Sequence, residues 1–128
     1  MKYLCLVHND EYPLHDHPDS PADSECHAYD VELESSNRRI AAEALAPVSA
    51  ATTMRVRHGE TQLVDGPFAE TKAQLLGFYL IDVRDLSDAI RIAAGIPVAR
   101  IGSVEVRPVR ELEIGQALHE PVAAQDHT

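Results

Sequence analysis

Two stretches hold the residues with the most chemical potential. The first is His15-Asp16-His17, with His8 and Asp19 nearby. Imidazole and carboxylate groups in a His-x-His spacing can chelate Zn²⁺ or Ni²⁺. Pro13 and Pro18 place the cluster in a loop, no cysteine pattern reinforces it, and such a loop gives its ligands little preorganised support. Divalent metal is therefore expected to bind only weakly, without effect on folding, and no resident metal or cofactor is expected. The second stretch is Asp65-Gly66-Pro67-Phe68. Read structurally, Asp65 accepts N–H groups of its own turn, Gly66 supplies a positive φ, Pro67 stiffens the exit and Phe68 plugs the core. Read functionally, a carboxylate held at a strand end beside a cleft is an acid, a base or a ligand orienter. Both readings stand.

Two more charged groups belong with these. Lys72, one of only two lysines, is either a plain exposed lysine or a partner for an anionic substrate, Asp65 or Glu70. Glu43 lies in a small, apolar strand context. A carboxylate there calls for a buried partner, Arg55 or Arg57, and is either half of a structural ion pair or a cleft acid. The chain has no P-loop, no Gly-x-Gly-x-x-Gly run, no Gly-x-Ser-x-Gly elbow and no His-Glu-x-x-His pattern, so nucleotide-dependent and serine-hydrolase chemistry lose their usual support.

The elements that must position these groups fit one domain. At 128 residues and 14.1 kDa the chain is long enough to bury a core without staples. Apolar residues make up 45% and charged residues 25%, ordinary values for a globular protein. Eleven Lys and Arg against twenty-one Asp and Glu leave a net charge of -10, which argues against nucleic acid as a partner. No apolar run is long enough to span a bilayer and no signal peptide is legible, so no membrane is expected and the cytoplasm is the expected compartment. Between Tyr3 and Asn37 there are nine acids and no Lys or Arg, the pattern of a solvated acidic face or of a rim facing a basic partner. Cys5 and Cys26 cannot make a disulfide framework, and Cys5 reads as a small buried hydrophobe.

Along the chain, Lys2 to His8 reads as a buried strand and Asp10 to Ser20 as a loop. A helix is predicted from Ser20 or Pro21 to about Asn37, with Cys26, Tyr29 and Leu33 inward and the intervening acids in water. Strands follow at 40–45 and 53–57, and His58-Gly59 turns the latter into a strand over 61–64. Phe78 to Val83 is the strongest strand. Asp85 caps a second helix with the stripe Leu86, Ala89, Ile90, Ala93, Ala94, which Gly95 and Pro97 end. Ser103 to Val109 alternates as a strand that Pro108 marks as an edge. The order is a βαββαβ plan, an α+β sheet with both helices on one face. The other face is also apolar, so a dimer stacked through its sheets is expected.

Several segments then resemble one family. Val64-Asp65-Gly66-Pro67-Phe68-Ala69-Glu70-Thr71-Lys72 followed by Gly77-Phe78-Tyr79-Leu80-Ile81 resembles the signature of the DGPF-domain proteins of the YCII-related family. The opening Met1-Lys2-Tyr3 with Asp10-Glu11, the Glu43-Ala44-Leu45 segment and Gly102-Ser103-Val104-Glu105-Val106-Arg107-Pro108 are similar to it too. The resemblance covers residues 1–110 and leaves 111–128 as a polar C-terminal tail. It implies a ferredoxin-like sandwich with an extra hairpin, dimerising through the sheet face into an α+β barrel.

YCII relatives have a proposed site built on a His and an Asp, and the nearest counterparts here are His27 and Asp10. A histidine paired with a carboxylate is poised for proton transfer near neutrality. Together with the readings above, this gives Asp65, His27 and Asp10 as the expected catalytic groups, with Glu43, Lys72 and Phe68 holding substrate. The expected function is binding or conversion of a small organic molecule by cofactor-free acid–base chemistry in a homodimer cleft. Many relatives' genes lie beside genes for sigma factors of the extracytoplasmic type, which implies the alternative of a non-catalytic regulatory or interaction module.

Overall fold

The structure, a computed structural model, describes residues 1–10 and 17–114. Strand β1 (Lys2–Asn9) alternates strictly: Tyr3, Cys5 and Val7 are buried, while Leu4, Leu6 and His8 are half-buried on the opposite side. It lies inside a four-stranded antiparallel sheet of order β2-β5-β1-β6, with β2 at Arg39–Ala44, β5 at Gln74–Asp82 and β6 at Ser103–Pro108. That order, with helix α1 (Asp23–Ser35) after β1 and helix α2 (Leu86–Gly95) after β5, is the ferredoxin-like plan the sequence predicts. β6 is an edge, as Pro108 indicates.

The core has one side. Tyr3, Cys5, Val7 and Ile81 of the sheet pack with Leu33 of α1 and with Ala89, Ile92, Ala93 and Ile96 at α2, so both helices cover the same face. The other face is open. The register aligns Leu6 with Phe78 and Leu4 with Leu80, and places Glu43, Glu105 and Arg107 among them. Strands β3 (Thr52–Arg57) and β4 (Glu60–Asp65) form a separate two-stranded ribbon inserted between β2 and β5. His58 and Gly59 turn it with φ of 53° and 77°, the left-handed pair that suits the twist of a two-residue hairpin.

Helix ends follow local chemistry. Asp85 accepts the Asp88 N–H at 3.0 Å and caps α2. Asn37, at φ 60°, ends α1, and the Arg38 N–H reaches back to the Leu33 carbonyl at 3.1 Å. α1 is shorter than predicted at both ends, and its acids do not all face water. Asp30 turns inward to Arg39, whose Nη2 donates to Oδ2 at 3.2 Å and whose Nε lies 2.9 Å from Oδ1, an ionic approach rather than an aligned hydrogen bond.

Four expectations need correction or a limit. The buried stripe of α2 is Ala89, Ile92 and Ala93, leaving Leu86 and Ile90 exposed, because the helix presents its i, i+3, i+4 set one position round from the predicted one. Phe68 does not plug the core; it is 76% exposed, with the Arg55 guanidinium 5.6 Å above its ring. Glu43 is exposed and makes no ion pair with Arg55 or Arg57, because those arginines ride on the separate ribbon. His15 and Asp16 lie outside the described residues. Among the described ones no group of three metal-ligating side chains converges, and His17 uses Nδ1 to accept the Asp19 N–H at 3.0 Å. No helix among the described residues is long and apolar enough to cross a membrane.

Asp88, in the first turn of α2, is held by Arg84 through Nε at 2.7 Å and Nη2 at 3.1 Å and by Arg91 through Nη1 at 2.7 Å. These bonds keep its carboxyl far below the ordinary value of 3.8. A group depressed in the folded state stabilises fully above its unfolded value and loses that contribution as pH falls toward the folded one. Asp88→Asn should therefore unfold at lower urea than wild type at neutral pH, with the gap narrowing below about pH 4. Paired urea melts across that range test it, and a gap independent of pH contradicts the ion-pair account.

Candidate binding cleft

Small residues open a space beneath the first half of α1. The sheet floor there is Ala42, Ala44 and Gly77, and α1 buries only Leu33, near its other end. What remains is a cavity of about 350 Å³ between Asp23, Cys26, His27 and Asp30 above and Val7, Gly77 and Tyr79 below, with Ile96 and Val98 at one end. Gly77 is required by close approach: a Cβ there would lie 2.7 Å from the Glu43 carbonyl oxygen of β2. Arg100 ties down the start of α1, donating through Nη2 to Glu25 at 3.0 Å and to the Asp19 carbonyl at 3.1 Å. The hydrogen bond from Arg100 holds the Glu25 carboxyl below its usual range.

The polar groups are few and converge. Asp23, His27 and Asp30 sit at i−4, i and i+3 on the helix, so the imidazole is flanked by two carboxylates. Arg39 already occupies Asp30, which leaves Asp23 as the carboxylate free to pair with His27. Burial pushes the Tyr79 hydroxyl up to about 12, reinforced by Cys26 and Asp30, so it stays protonated and able to donate. Its ring meets Tyr29 edge-on at 6.4 Å, and the Tyr29 hydroxyl donates to the Ile92 carbonyl at 2.7 Å. The Tyr79 hydroxyl has no hydrogen-bond partner among the described residues. Burial, then the charges of Asp23 and Glu25, raises the Cys26 thiol. It is a neutral thiol near pH 7, and thiolate attack is not what this cleft is built for.

Of the residues singled out from the sequence, His27 lines the cleft directly. Glu43 sits at its margin, but the register with Phe78 sets its side chain on the open sheet face. Asp10 follows the end of β1 and is not among the residues that line the cleft. Asp65 ends β4 opposite Thr52, and its turn is held by other atoms: the Gly66 N–H donates to the Ala51 carbonyl at 2.7 Å, and the Thr53 hydroxyl donates to the Gly66 carbonyl at 2.9 Å. Phe68 and Lys72 are exposed on the segment that returns to β5. Of the three candidate catalytic groups, His27 alone lines the cleft.

The sequence model of the YCII-related domain matches residues 1–113. The chain belongs to the YCII-related family. An uncharacterised protein of Rhizobium meliloti (strain 1021) is 50% identical over 74 residues, 56% of this chain and 60% of its own length. This YCII-related chain thus spans about 60% of the length of that curated relative. Sequence reasoning about the YCII-related cleft missed Tyr79, Asp23, Asp30 and Arg39. The helical spacing of Asp23, His27 and Asp30 was available as a signal, whereas Arg39 and Tyr79 join them only through strand pairing.

Proposed function

We propose that this YCII-related protein binds a small, largely apolar organic molecule in the cleft beneath α1 and acts on it by cofactor-free proton transfer. The carrying observation is the cavity of about 350 Å³ with a small-residue floor and a few convergent polar groups, the usual make-up of a ligand site. His27 is the proton carrier, Asp23 its carboxylate, and the Tyr79 hydroxyl a donor to a carbonyl or hydroxyl of the ligand. The open face carrying Leu4, Leu6, Phe78 and Leu80 supports a cytoplasmic homodimer stacked through its sheets. The alternative, a non-catalytic module for a sigma factor or another basic protein, leans on the acids of α1. Arg39 and Arg100 already neutralise Asp30, Glu34 and Glu25, which weakens it.

A panel of cyclic ketones, lactones and phenols, screened by thermal shift and then by titration, tests the proposal. Hits should bind His27→Ala and Tyr79→Phe about tenfold more weakly, the worth of one hydrogen bond. Turnover of a hit that His27→Gln abolishes establishes proton transfer; binding without turnover reduces the reading to a binding protein. Hits that bind equally well when Ala44→Phe fills the floor sink the cleft.

A further inference from the structure

Eleven Lys and Arg serve the whole chain, and three of them, Arg38, Arg84 and Arg91, line one cavity of about 440 Å³. It lies past the C-terminal end of α1, beside the end of β5 and α2, and shares no lining residue with the cleft. Two acids line it as well. Asp82 is turned to the Met1 ammonium at 3.0 Å, and Asp88 answers Arg84 and Arg91 together, one carboxylate for two guanidinium groups. Arg38 is half-buried and has no carboxylate partner among the described residues. A cation partly withdrawn from water is normally paired. Three guanidinium charges less the one that Asp88 answers leave two uncompensated, on a chain whose net charge is -10.

We infer that this cavity binds the phosphate group of a phosphorylated small molecule, at a site independent of the chemistry proposed for the cleft. Arg38 is held ready for it. Its N–H donates to the Leu33 carbonyl at 3.1 Å, and its own carbonyl accepts the Asp82 N–H at 2.9 Å. Its Nε donates to the Ser36 hydroxyl at 2.7 Å, which leaves both terminal nitrogens without a partner among the described residues. Arg84 spends Nε and Nη2 on Asp88, which leaves its Nη1 unused in the same way. A phosphomonoester carries a charge of about -1.5 to -2 near pH 7 and three acceptor oxygens. It therefore matches both the two uncompensated charges and the three guanidinium groups, whose paired N–H donors suit phosphate geometry. A carboxylate answers only one of the charges. The volume falls in the range of small-molecule sites, and the buried Val83 and Ile92 line it too, giving the organic part of the ligand an apolar contact. A long polyanion is repelled by the acidic remainder of the chain, so the phosphate belongs to a small molecule.

Calorimetric titration of the full chain at low salt, with inorganic phosphate, glucose 6-phosphate, gluconate and glucose, tests the site. Both phosphates should bind saturably, gluconate at least about tenfold more weakly than glucose 6-phosphate, and glucose not at all. Arg38→Gln should weaken glucose 6-phosphate at least about tenfold, the worth of a hydrogen bond between charged groups. Arg57→Gln removes the same charge from the β3–β4 hairpin and should leave the affinity unchanged. As a readout that needs no variant to fold, glucose 6-phosphate titrated into the labelled wild type should shift the amide resonances of Val83, Arg84 and Ile92 and spare those of Val7 and Gly77 in the cleft. Absence of saturable phosphate binding overturns the inference. So does an equal loss in Arg38→Gln and Arg57→Gln, glucose binding as well as its phosphate, or shifts confined to the cleft.

Discussion

Leu33→Ala should lower the free energy of unfolding by about 3 kcal/mol, within the 2–5 kcal/mol typical of buried Leu truncations. Leu33 is 1% exposed and is the only buried residue of α1. The rest of the helix is held by the half-buried Tyr29, by Arg39 on Asp30 and by Arg100 on Glu25, all partly exposed contacts of small net worth. Total stability of a domain this size is about 5–15 kcal/mol, so one truncation removes a large fraction of it, about 10 °C in melting temperature. Val31→Ala, on the exposed side of the same helix, should change stability by about 0.5 kcal/mol or less. Because α1 roofs the cleft, Leu33→Ala should also weaken any cleft ligand. Urea melts of both variants decide it, and a Leu33→Ala loss under about 1 kcal/mol would mean that α1 is anchored elsewhere.

Gly77→Ala should cost about 2–3 kcal/mol, the upper range for overpacking. The added methyl would stand 2.7 Å from the Glu43 carbonyl oxygen and 3.3 Å from the Ala44 Cα, both backbone atoms, so no side-chain rotation relieves it and β2 must move off β5. Gly59→Ala provides the contrast. Space is open there, and the cost is only that of a non-glycine residue at φ 77°, about 1 kcal/mol. Gly59→Asn should be milder still, since Asn tolerates that conformation. Denaturation curves that rank Gly59→Ala as the more damaging change would refute the close approach of the two strands.

The fold was legible because its signals are local. The apolar run from Lys2 to His8, the His58-Gly59 turn and the Asp85 cap each depend on a few neighbouring residues and survive in the structure. The site was less legible because it is assembled across the sheet. Tyr79 reaches the space under α1 only because β5 pairs with both β1 and β2, and Arg39 meets Asp30 only because β2 returns beside the helix. The inward Phe68 and the Glu43–Arg pair failed for one shared reason: a short turn motif does not reveal that the strands it joins leave the main sheet as a ribbon.

The strand order also constrains the chain during its synthesis. β1 is made before the other strands of its sheet, yet its two neighbours are β5 and β6, with Lys2 opposite Asp82 and Tyr3 opposite Pro108. Both flanks of β1 therefore stay unpaired until residues far downstream have left the ribosome, and its apolar groups Leu4, Leu6 and Val7 wait exposed. Closing such distant pairings is slow, and an unpaired hydrophobic strand is a template for aggregation while it waits. A nascent chain stalled before β5 has no partner for its first strand, so this topology makes folding a late and nearly all-or-none event of translation.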